Sequence, residues 1–105
     1  MVEIAQLHRQ LVTRVLEGSG KASAELRRAA FENAGLEEPI RALVDKVANH
    51  SYRVSDEDVA AVRGAGLSED QIFEIVVSAA VGQASRQYAS ALAALASATE
   101  ETPER

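Results

Sequence analysis

Gln83 and Arg86 are the polar pair best placed to do chemistry in this chain. At ~100° per residue they share a helical face with Ile72, Ile75 and Ala79, a face otherwise fit for burial. A guanidinium on such a face calls for a carboxylate, either one of the chain's own acids or one carried by a ligand. His8 falls inside the apolar stripe of the first helix, between Val12 and Val15. An imidazole there serves as a satisfied buried group, an interface residue or a general base in a pocket. His50 ends the third helix and is followed by Tyr52. A histidine at a helix C-terminus is favoured by the macrodipole and can cap orphan carbonyls, so a structural role stands beside proton transfer.

Two further clusters have simpler readings. Asp56, Glu57 and Asp58 occupy a first helical turn, where acids complement the macrodipole without any metal. Consecutive helical positions point in different directions, so the three cannot converge on one ion. Gly18-Ser19-Gly20-Lys21 lacks the leading glycine and the preceding strand of a phosphate loop. No metal site and no cofactor is expected. The chain has no cysteine, which removes disulfides, thiolate metal sites, thiol nucleophiles and redox pairs together.

These side chains must be positioned by helices. No window alternates apolar and polar residues over strand length, and the apolar period is helical throughout. A first helix is expected over Val2–Leu16, with Ile4, Leu7, Leu11 and Val15 on its buried side. Gly18-Ser19-Gly20 breaks it. A second should run from Ser23 to Asn33, with Gly35 as its stop. Pro39 suits a first helical position and opens a third helix to Asn49. Ser55 and Asp58 form a shortened capping box for a fourth helix, with Val54 and Val59 as its hydrophobic staple. Gly64 and Gly66 end it. Ser68 and Gln71 repeat the box more strongly for a fifth helix, expected to reach Ala98 unless Gly82 bends or divides it.

A chain of 105 residues fits one domain, here residues 1–98, followed by a charged, Pro-containing tail over 99–105 expected to be disordered. The net charge of −5 is spread along the chain, which argues against a nucleic-acid or anionic-membrane surface. There is no apolar run of transmembrane length and no secretory signal pattern, so a cytoplasmic location is expected.

From Leu36 to Leu95 the chain resembles the second, non-cysteine portion of the carboxymuconolactone decarboxylase / alkylhydroperoxidase D-like superfamily. The resemblance rests on Glu38-Pro39-Ile40, His50-Ser51-Tyr52, Val54 to Val59, Ala65 to Ile72 and the Ala-rich helix that follows. It implies an all-helical fold assembled as a dimer, trimer or hexamer. The superfamily's peroxide chemistry needs a Cys-x-x-Cys pair, one thiolate to attack and a second sulfur to resolve. Neither sulfur exists here, so thiol peroxidase activity is excluded.

The expected protein is thus an all-α, compact bundle of about five helices, alkylhydroperoxidase D-like and homo-oligomeric. The segment from Ala89 to Ala98 is small nearly all round, with Leu92 and Leu95 as a seam beside Ala91. Such a surface asks for a symmetric helical interface. Two functions follow. One is a non-catalytic, self-associating scaffold or accessory subunit, with a protein partner as one use. The other is a cysteine-independent lyase, isomerase or binding protein for a small carboxylate. Arg86 would then hold the carboxylate, His8 or His50 would move the proton, and Gln83 or Tyr52 would orient the ligand.

Overall fold

The computed structural model describes residues 2–101. Five α-helices follow one another: α1 Val2–Glu17, α2 Ala24–Glu32, α3 Ile40–Asn49, α4 Asp56–Gly64 and α5 Glu69–Glu101. A single 3₁₀ turn, Ser51–Arg53, links α3 to α4. The described residues contain no strand.

Most boundaries are set by the capping groups read from the sequence. Ser23 caps α2, accepting from the Leu26 N–H. The capping box of α4 forms as expected, with Ser55 and Asp58 bonding reciprocally. Ser68 and Gln71 do the same at α5, at 2.8 and 3.1 Å. Two ends differ from expectation. Asn33, not Gly35, stops α2: it takes the left-handed conformation at φ 52° and its N–H returns to Ala29 and Ala30. Pro39 lies just outside α3, and its missing cap is replaced by the Glu38 carboxylate, which accepts from the Ala42 N–H at 3.2 Å.

α5 is the axis of the molecule. Its inner face buries Ile72, Ile75 and Ala79 against Ala30 of α2, Leu43 and Val44 of α3, and Val62 of α4. Fully buried side chains of the size of Leu43 and Ile75 contribute roughly 1.5–3 kcal/mol each. Gly82 does not divide α5, which is continuous over 33 residues. Instead it lets α2 cross at contact distance, the Phe31 carbonyl lying where a side chain at position 82 would begin. That is why a glycine sits in the middle of an otherwise alanine-rich helix.

Beyond this body α5 continues alone, and every residue from Ala89 to Thr99 is exposed. The overhang gives extents of 62 × 28 × 21 Å and a radius of gyration of 16.6 Å, against ~13 Å for an ordinary globule of this length. The helix runs through Glu101, past the expected end at Ala98. The rest of the expected tail, 102–105, lies outside the described residues.

α1 departs most from its sequence pattern. It leans on the body through Ala5, His8, Val12, Val15 and Leu16, all half-buried. Ile4, Leu7 and Leu11, which were expected to face the core, are 54%, 61% and 47% exposed. The helix touches the body along one edge of its apolar stripe, and the centre of that stripe is left largely exposed.

Candidate functional site

Arg86 and Gln83 come together as the helical spacing requires. Gln83 Oε1 accepts from Arg86 Nε at 3.2 Å and Nη2 at 2.9 Å. The third arm of the guanidinium reaches across the crossing, Nη1 donating to the Phe31 carbonyl at 2.7 Å. Phe31 stands in the last turn of α2, whose carbonyls have no helical donor of their own. Arg86 therefore caps a neighbouring helix, a use of cationic charge that the macrodipole favours.

His8 bridges α1 and α5. Its Nε2 lies 2.9 Å from Ser85 Oγ, and its ring stacks at a tilt on Tyr88, centroids 5.0 Å apart. The distance would suit a serine nucleophile and its base, but the surroundings do not. Ser85 lies mid-helix, where the backbone N–H groups are committed to the helix and cannot stabilise an oxyanion. Among the described residues no acid or carbonyl orients the other ring nitrogen of His8. The bond satisfies two polar groups at a helix contact.

His50 is the exposed C-cap of α3, its backbone N–H donating to the Lys46 carbonyl at 2.7 Å. Tyr52 meets it edge-on at 6.2 Å and is itself 83% exposed. The five residues expected to share a ligand site thus occupy three separate places: the α2–α5 crossing, the α1–α5 contact and the end of α3.

Other polar residues do structural work, most of it through partners distant in the sequence. Glu74 accepts the backbone N–H groups of Lys21 and Ala22, both at 2.8 Å. Those two bonds hold its carboxyl below the usual carboxylate range, with Arg27 and Lys21 adding attraction and partial burial opposing them. The glycine-rich loop before α2 does hold an anion, and that anion is the chain's own. A side chain at Gly20 would stand 2.7 Å from Glu74 Oε1. Arg27 is buried at 8% exposure and donates Nη1 to the Val15 carbonyl at 3.0 Å, while its Nε has no hydrogen-bond partner. In the acidic triplet, Asp58 is held by Lys46 at 2.9 and 3.0 Å, and by the Ser55 backbone. The Lys46 bond is the larger reason that its carboxyl titrates low, and the Ser55 bond is the second. Among the described residues no three His, Asp or Glu side chains gather as a metal site. Nor is any helix long and apolar enough to cross a membrane.

The concave surface lies along the outer face of α5. A hollow of about 470 Å³ opens between α5 and α1, walled by Ile4, His8, Leu11 and Tyr88. A second, of about 640 Å³, opens on the other side, walled by Val47, Val54, Val76 and Gln83. Ala80 and Ala84 line both, so the two hollows are halves of one groove with those alanines as its floor. Arg86 lines neither half. A larger hollow of about 760 Å³ follows Gln6, Gln10 and Thr13 along the polar side of α1, where a single helix supplies nearly every wall.

No family model, no curated protein and no solved structure matches this chain.

Proposed function

We propose that this chain is a non-catalytic, self-associating helical scaffold or accessory subunit. The observation that carries the reading is the outer face of α5. Between Glu74 and Glu100 the only charged residue is Arg86, and that one is turned toward α2. The opposite face is apolar over this whole length and is bordered by the exposed Ile4, Leu7 and Leu11 of α1. Contiguous apolar surface on this scale marks an interaction site. The resemblance to the carboxymuconolactone decarboxylase superfamily supports the same expectation of assembly, without thiol peroxidase activity.

A cysteine-independent lyase, isomerase or carrier for a small carboxylate would need Arg86 free and beside a histidine. Its donors are engaged by Phe31 and Gln83, and neither histidine bonds to it. The scaffold reading is tested by multi-angle light scattering after size exclusion, from one to a hundred micromolar. A mass that is a whole multiple of the chain is expected. A monomer across that range overturns it.

A further inference from the structure

We infer that the groove on α5 is filled by the α5 overhang of a second copy, the two helices running antiparallel about a two-fold axis beside position 86. The inference rests on the self-association proposed above and names its surface and register.

The groove has the form of a helix seat. Its floor is narrow and small-sided at Ala80 and Ala84, and it is walled by α1 on one side and by α3 with the 3₁₀ turn on the other. An alanine floor lets a second helix approach more closely than leucine or phenylalanine would, and a helix presenting larger side chains fills the space. The overhang is such a helix. Leu92 and Leu95, 47% and 65% exposed, continue along its outer side from Tyr88 of the groove wall.

The register follows from size. Setting Leu92 over the partner's Ala80 also sets Tyr88 over the partner's Ala84, Ala91 on the partner's Val81, and Leu95 on the partner's Val77. Large side chains meet small ones at three of these four positions, and the two-fold repeats each contact. The same register turns Arg86 away from the partner and toward α2, where it is bonded. In this register the seat from Val77 to Tyr88 pairs with the partner's stretch 84–95, each ~17 Å long at ~1.5 Å per residue.

Charge selects a second copy over a foreign peptide. The chain carries −5, so two copies repel except across a neutral face, and this is the neutral face. An acidic or basic peptide would find no counter-charge there. At the rim, His8 Nε2 is already engaged by Ser85 and Gln83 Oε1 by Arg86, so covering the groove breaks neither bond. Contact over this length from both helices, with α1 as a wall, buries on the order of 600–800 Å² per chain, near the ~800 Å² of a standard stable interface.

The absence of cysteine makes the register directly testable. The double variant Ala80→Cys with Leu92→Cys is treated with a short bis-maleimide and compared with each single variant, alongside light scattering of the unmodified protein. Within one chain the two positions are ~18 Å apart along α5, too far for the linker to bridge. A covalent dimer from the double variant, with neither single variant cross-linking, is expected. The variant Leu92→Glu with Leu95→Glu changes only exposed overhang residues, and should halve the measured mass while leaving the helical circular dichroism unchanged. A dimer that fails to cross-link, a trimer or hexamer, or a dimer that survives the glutamates overturns this groove and register but leaves self-association standing. A monomer overturns both.

Discussion

Gly82→Ala should destabilise this protein, although the same change in an ordinary helix stabilises by ~1 kcal/mol. A Cβ at position 82 would overlap the Phe31 carbonyl oxygen and stand 2.7 and 2.9 Å from the Phe31 carbonyl carbon and Cα. Carbon atoms prefer ~3.5–4.0 Å, so α2 and α5 must separate by about 1 Å. The obstacle is backbone, so no rotamer change relieves it. Separation also stretches the 2.7 Å bond from Arg86 to Phe31 and opens the contact between buried Ala30 and Ala79. Overpacking costs ~1–3 kcal/mol and occasionally more. With the backbone as obstacle and a capping bond of ~1 kcal/mol weakened, the sum is ~3–4 kcal/mol. Subtracting the helix-propensity gain leaves a net loss of ~2–3 kcal/mol. For a domain of this size that lowers Tm by about 10–20 °C. Gly64 supplies the control: it is helical, with nothing within 4 Å of an added Cβ, so Gly64→Ala should leave Tm unchanged or raise it. Both variants and the parent are melted by far-UV circular dichroism at one protein concentration, since association also raises Tm. If Gly82→Ala melts at or above the parent, the close crossing of α2 and α5 is wrong.

Two further outcomes follow from the polar contacts. Glu74→Gln leaves one carbonyl oxygen to serve two backbone donors and should cost about 1 kcal/mol near pH 7 in urea unfolding. The folded Glu74 titrates below its unfolded value, so its contribution is complete above about pH 4.3 and is lost as pH falls through the folded value. The gap between variant and parent should therefore narrow below about pH 4, and a gap that widens there would refute the assignment. Arg86→Ala should lower stability by about 1 kcal/mol through the lost α2 cap. A thermal-shift screen with small carboxylates should show the same decrement with and without ligand. Stabilisation of the parent alone by a carboxylate would instead favour the ligand-binding role.

The helices themselves were legible because their start signals are local. Ser55 with Asp58 and Ser68 with Gln71 bond within four residues, so no distant contact is needed to predict them. The end of α2 was placed within one residue, but its left-handed stop was assigned to Gly35 rather than Asn33 because asparagine and glycine both adopt that conformation, and both do so here, at φ 52° and 73°. The outer face of α5 was also present in the spacing of Val77, Ala80, Ala84, Ala91 and Leu95. Leu92 and Leu95 beside Ala91 were read as an interface seam, but its continuation over Val77, Ala80 and Ala84 was missed because alanines carry little hydrophobic signal beside the isoleucines of the inner face.

What the sequence determined alone is the all-α class, the five helices, the absence of thiol chemistry and the pairing of Gln83 with Arg86. Each rests on covalent composition or on neighbours within one or two helical turns. Only the tertiary structure decided what those helices do to one another. Gly82 could divide α5 or admit a neighbour, and the unbroken helix with Phe31 against it settled which. Arg86 could hold a ligand or a helix end, and the last turn of α2 took it. The apolar stripe of α1 could face the core or the solvent, and a body already filled by α2, α3 and α4 left most of it outside. Each choice depends on contacts between residues far apart in the chain, which no local spacing encodes.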